Sequence, residues 1–75
     1  MKKSEFFKTM RIILDYSKGK NINLSVDFRN ELGIFNHPFR AYKELDNKNI
    51  LLIYGGDILR VKYASIVKIN YSIIR

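Results

Sequence analysis

Residues 22 to 28 read Ile22-Asn23-Leu24-Ser25-Val26-Asp27-Phe28, apolar and polar in alternation, and this stretch decides the fold. In an extended chain successive side chains project to opposite faces, so Ile22, Leu24, Val26 and Phe28 share one side and Asn23, Ser25 and Asp27 the other. That is a strand with one dry face. Upstream the period differs. Phe6, Phe7, Met10, Ile13 and Leu14 recur at helical spacing on one face, with Lys8, Arg11 and Asp15 on the opposite side. Ser4 before Glu5 reads as an N-cap with an acidic first turn, and Gly19 as a C-terminal stop. Arg11 and Asp15 have the spacing of a surface pair. The pattern predicts a helix over about 4–17 and a β body over about 21–74.

Downstream, Arg29, Asn30 and Glu31 make a polar turn, and Leu32 to Phe35 opens a second strand. Pro38 cannot donate to a ladder, so that strand is expected to bend near Asn36, His37 and Pro38 and resume through Phe39 to Leu45. Asp46, Asn47, Lys48 and Asn49 form the clearest hairpin turn in the chain. Ile50 to Tyr54 is a wholly apolar strand, expected to be buried on both faces. Gly55, Gly56 and Asp57 make the next turn, and Leu59, Val61 and Tyr63 alternate with Ile58, Arg60 and Lys62. A break at Ala64 and Ser65 precedes a last strand, Ile66 to Ile74, with Val67, Ile69, Tyr71 and Ile73 on one face. One helix followed by five short strands is a mainly β fold with an N-terminal α-helix. A strongly bent second strand is what lets one small sheet curl into a barrel.

The chain has 75 residues, room for one core and no second domain. It has no cysteine and one histidine, which excludes a disulfide framework and leaves no structural zinc site. Self-association is then one way to bury more surface. The cysteine-free composition fits a reducing, cytoplasmic setting. Lys2 and Lys3 open the chain, but Glu5, Lys8, Arg11 and Asp15 interrupt the apolar residues after them, so the N-terminal stretch reads neither as a signal peptide nor as a membrane span.

Catalysis is not expected. His37 lies beside Pro38 with no partner motif, and Asp27, Glu31, Glu44, Asp46 and Asp57 are scattered over turns and polar faces. The Gly55-Gly56 pair lacks the further glycine and the Lys-Ser/Thr of a phosphate loop, and no helix follows it. No cofactor is implied.

Charge is the informative feature. Lys and Arg number 14 against 7 acidic residues, a formal charge of +7, which makes a polyanion the first partner to consider. An Ile-, Lys- and Asn-rich composition is also what an A/T-rich coding sequence produces, so solubilising charge is the competing reading. Arg60 and Lys62 share one strand face, Lys68 lies on the polar face of the last strand, and Arg29, Arg40 and Lys43 surround the bent second strand. Phe39, Tyr42, Tyr54 and Tyr63 lie among them. Each of these aromatics is read first as core; Tyr42 and Tyr63, next to basic residues near strand ends, are the best candidates to be exposed and to stack on an unpaired base.

Two short pieces of the chain resemble the Sm-like family, including its bacterial host-factor-Q branch. Glu44-Leu45-Asp46 followed by Asn49-Ile50-Leu51-Leu52 is similar to the first Sm motif, an aspartate and an asparagine ahead of an apolar strand. Val61-Lys62-Tyr63-Ala64 with Ile66 is similar to the Lys-His-Ala-Ile piece of the host-factor branch, with Tyr63 in place of the histidine and one extra residue before Ile66. Arg60 is followed by Val61 where the wider family has glycine. The resemblance implies a five-strand SH3-like or Sm-like barrel, assembled into a homo-oligomer through its edge strands, with single-stranded RNA near a central pore. Lys62 and Tyr63 would face that pore and Asn49 would lie by the base-binding loop.

The resulting expectation is a non-catalytic module binding RNA or single-stranded DNA through Arg29, Arg40, Tyr42, Lys43, Asn49, Arg60, Lys62, Tyr63 and Lys68. Two alternatives stand beside it: a protein-interaction module docking through a barrel edge or the Phe-rich helix, and a small accessory protein on duplex DNA.

Overall fold

The helix, α1, runs over Lys3–Tyr16 and starts one residue ahead of Ser4. Ser4 is therefore inside the first turn; the Lys2 N–H donates to Glu5 Oε1 (3.4 Å) instead. At the other end the Ser17 hydroxyl donates to the Ile13 carbonyl (2.7 Å), which lets Ser17 be buried. In this computed structural model, which describes residues 1–74, the rest is β: β1 Ile22–Asn30, β2 Gly33–Phe39, β3 Ala41–Glu44, β4 Asn49–Tyr54, β5 Asp57–Lys62 and β6 Ile66–Ile73, with a 3-10 turn at Tyr63–Ser65. Six strands thus stand where five are expected. They form two antiparallel sheets, β2-β1-β6 and β3-β4-β5, which do not close into a barrel among the described residues. No described helix is long and apolar enough to cross a membrane.

The expected second strand is divided at Arg40, not at Pro38. Pro38 fits within β2 because β2 is an edge strand of its sheet, where a missing N–H need not break a ladder. At Arg40 the chain changes partner: Phe39 pairs with Leu24 of β1, while the Arg40 N–H donates to the Ile53 carbonyl of β4 (2.8 Å). His37 is likewise in β2, opposite Val26, and not in a turn; its Nε2 is buried without a hydrogen-bond partner. The Gly55-Gly56 turn is where expected, with Gly55 at φ +59°, a left-handed conformation that favours glycine.

Phe6, Met10 and Ile13 of α1 pack against Leu24, Val26, Phe39, Ile50, Leu52, Val61, Tyr63, Ile66 and Ile69 in one core. Full burial stabilises each large aliphatic or aromatic group by about 1.5–3 kcal/mol. The apolar stripe of α1 is narrower than its sequence indicates: Leu14 is 46% exposed. Arg11 and Asp15 do not pair; the ion pair found among the described residues joins Lys3 of α1 to Glu44 of β3. β4 is less dry than expected, with Ile50 and Leu52 buried but Leu51 and Ile53 partly open. In β6 the register slips where Asp27 pairs with Lys68 and Phe28 with Ile66. Val67 is left over as a bulge, which turns it outward although its alternation with Ile69 predicts a core position.

Candidate nucleic-acid interface

Antiparallel pairing puts directly opposed residues on one face. Lys43 of β3 is opposite Leu51 of β4, and Leu51 is opposite Arg60 of β5; one step along, Asn49 is opposite Lys62. Because Ile50, Leu52 and Val61 point into the core, Lys43, Arg60 and Lys62 project from the outer face of this sheet, and all three are exposed. The remaining strand positions on that face are Ala41, Asn49, Leu51, Ile53 and Ile58, so its strands carry three cations and no carboxylate. Neighbouring strands are about 4.8 Å apart, which sets Lys43 and Arg60 roughly 10 Å from each other at the backbone.

The other expected contacts divide into three groups. Arg29 and Lys68 are exposed but belong to the second sheet, where Arg29 is opposite Ile34 and Lys68 opposite Asp27. Arg40 stands at the junction between sheets, its guanidinium 5.5 Å from the centroid of the Tyr54 ring.

Tyr42, Tyr63 and Asn49 are the corrections. Tyr63 is 3% exposed, with Phe6 edge-on at 5.8 Å and Phe7 at 6.2 Å. It is held there because the 3-10 turn starts at Tyr63 and its N–H donates to the Lys48 carbonyl (2.9 Å). Burial pushes the Tyr63 hydroxyl pKa above 10.0, with the charges of Glu44 and Asp46 adding to the effect. Tyr42 is partly buried against the same aromatic group, 5.6 Å from Phe6 and 6.3 Å from Phe39. Neither is an open stacking platform. Asn49 is 8% exposed, and its Nδ2 donates to both oxygens of Asp46 (3.1 and 3.2 Å). It closes a turn, and its burial keeps it from standing open beside a base.

That turn has its own electrostatics. Asp46 Oδ1 accepts from the N–H groups of Lys48 and Asn49, each at 2.8 Å. These bonds favour the carboxylate, so the Asp46 pKa lies below 3.8, chiefly through Lys48 and the Asn49 side chain, with a smaller contribution from the charge of Arg60.

Sequence reasoning missed a polar cluster on the other sheet. Asp27 Oδ1 accepts from Asn36 Nδ2 (2.9 Å) and Asn70 Nδ2 (3.1 Å), and Asn36 also reaches Ser25 Oγ (2.9 Å). One carboxylate thereby ties β2, β1 and β6 together. In the sequence these residues are simply the polar members of alternating strands; only the register brings them together.

Comparison with protein families, curated proteins and solved structures finds no match for the chain.

Proposed function

We propose that this protein is a non-catalytic module that binds single-stranded nucleic acid, RNA foremost, on the outer face of the β3-β4-β5 sheet. The observation that carries this reading is the row Lys43–Leu51–Arg60 with Lys62 beside it, cationic and with no carboxylate at a strand position; the one nearby is Asp46 of the adjoining turn, which feels the charge of Arg60. Cations on a pleated face supply salt-dependent phosphate contacts, and the aliphatic groups between them offer apolar contact to sugars and bases. The fold we propose is an opened SH3-like or Sm-like barrel. What supports it is the strand order: taking β2 and β3 as two halves of one strand bent at Arg40, the order becomes β6-β1-β2/β3-β4-β5, with the 3-10 turn linking β5 to β6. The proposal includes self-association through the free edges of β5 and β6.

Replacing Lys43, Arg60 and Lys62 by Ala tests the reading. Fluorescence anisotropy with labelled single-stranded RNA should show weaker binding and a salt dependence reduced by about 0.7 in log–log slope per lost phosphate contact, at unchanged thermal stability. Unchanged affinity in the triple variant overturns the site.

A second reading, docking to another protein through a sheet edge, is favoured by one observation. The β1–β2 hairpin exposes Leu32 (87%), Ile34 and Phe35, and β2 is an edge strand. Lysine at Leu32 and Ile34 would abolish docking and leave RNA binding intact; loss of neither sinks this alternative. Docking through the Phe-rich helix could not use Phe6, which is fully buried, and would rest on the exposed Ile12, Leu14 and Tyr16 of α1.

A further inference from the structure

β1 and β6 pair so that Asn23 lies opposite Ser72 and Ser25 opposite Asn70, which puts four neutral polar side chains on one face. Together with Arg40 and Tyr54 they line a cleft of about 360 Å³, within the size range of small-ligand sites. The Arg40 guanidinium lies over the Tyr54 ring, 5.5 Å from its centroid, a cation–π distance. This sets a cation with N–H donors beside an aromatic ring at the wall of the cleft. Asn70 commits one amide N–H to Asp27 (3.1 Å), which orients the amide and leaves its carbonyl oxygen available. Ser25 Oγ accepts from Asn36 (2.9 Å), leaving the hydroxyl proton to donate. No carboxylate lines the cleft; Asp57 is opposite Tyr54 in the ladder but outside it.

A simple oxyanion could accept from Arg40, the amide N–H groups and the hydroxyls, but would leave the amide carbonyls and the Tyr54 ring unused. An apolar ligand would strand four polar side chains. An unpaired nucleotide uses the cation, the ring and the polar groups together: its base lies against the Tyr54 ring, its edge meets amides that donate and accept, and its phosphate meets the guanidinium. We infer that this cleft is a subsite for one unpaired nucleotide, separate from Lys43, Arg60 and Lys62. It shares a ligand class with the proposed function but not a surface.

The test is an NMR titration of the full ¹⁵N-labelled chain with adenosine 5′-monophosphate and, in parallel, with inorganic phosphate. The side-chain amides of Asn23 and Asn70 and the backbone amide of Arg40 should shift saturably with the nucleotide and not with phosphate. Tyr54→Leu should weaken that binding about tenfold, the scale of one base–aromatic contact, in a protein whose other resonances stay in place. Silent cleft resonances, equal shifts with phosphate, or an unaffected Tyr54→Leu variant each overturn the inference. The two surfaces are separable: saturable nucleotide shifts in the cleft without oligonucleotide binding at Lys43, Arg60 and Lys62 uphold the subsite and sink the proposed function, and the opposite pattern does the reverse.

Discussion

Lys43 and Arg60 face the same way from strands that do not pair with each other, each set directly opposite Leu51 of the strand between them. They are 17 positions apart in the sequence, and only the register of two hairpins makes them neighbours. The same register turns Val61 and Leu52 inward, so the cations and the core are specified by one alternation. Replacing the cations should therefore affect binding without affecting packing, which is why the outer face is testable by charge substitution.

The helix face gives the sharpest stability contrast. Phe6 is fully buried among Phe7, Tyr42 and Tyr63, so Phe6→Ala should cost about 3–5 kcal/mol, most of the stability of a domain this small. Leu14→Ala, at a position 46% exposed, should change stability by no more than about 0.5 kcal/mol. Urea denaturation of both variants checks this; similar losses would mean that α1 docks differently.

Acid sensitivity should trace in part to Asp46. Its carboxylate is stabilised by hydrogen bonds in the folded state, so its folded pKa lies below the unfolded value near 3.8. The turn's contribution is therefore present above pH 3.8 and is lost as the pH falls through the lower folded pKa. Thermal melts from neutral pH down into the acid range should show a smaller acid-induced drop in Asp46→Asn than in the parent. Parallel pH profiles would contradict it.

Tyr63 should prove to be a core residue whose hydroxyl adds nothing. Its oxygen is buried with no hydrogen-bond partner, and removing an unsatisfied polar group is neutral or favourable. Tyr63→Phe should leave stability at neutral pH equal or higher, and should lessen the loss of stability as pH rises above 10.0, where the unfolded tyrosine ionises before the folded one. A loss above about 1 kcal/mol at neutral pH would show that the hydroxyl has a partner.

Much of this fold is legible residue by residue. Helical spacing marks α1, alternation marks β1 and β5, and Gly55 marks its turn, because each of these is a local preference. The division at Arg40 is not local. It arises because one strand exchanges β1 for β4 as its partner, and Pro38, the only local signal, is tolerated on an edge. Val67 shows the same limit: its alternation with Ile69 is real in the sequence, but a register slip against Asp27 and Phe28 turns it outward.

The candidate site divides along the same line. Arg60 and Lys62 follow from alternation within one strand. Tyr63 also alternates with Val61 toward the core; its expected exposure rests on the basic neighbour and on the Sm-like resemblance, and packing against Phe6 prevails. Asn49 is a turn former bound to its own aspartate. The cleft at Arg40 and Tyr54 has no legible signal, since its walls come from four strands.

The most direct measurement is an anisotropy titration of the purified protein against labelled single-stranded RNA, single-stranded DNA and duplex DNA, at low and near-physiological salt. A single-strand interface on the β3-β4-β5 sheet predicts binding that favours the single strands, RNA first, and persists at the higher salt. Weak binding that ignores the polymer and vanishes with salt would contradict it, and would leave the +7 charge as a solubilising feature.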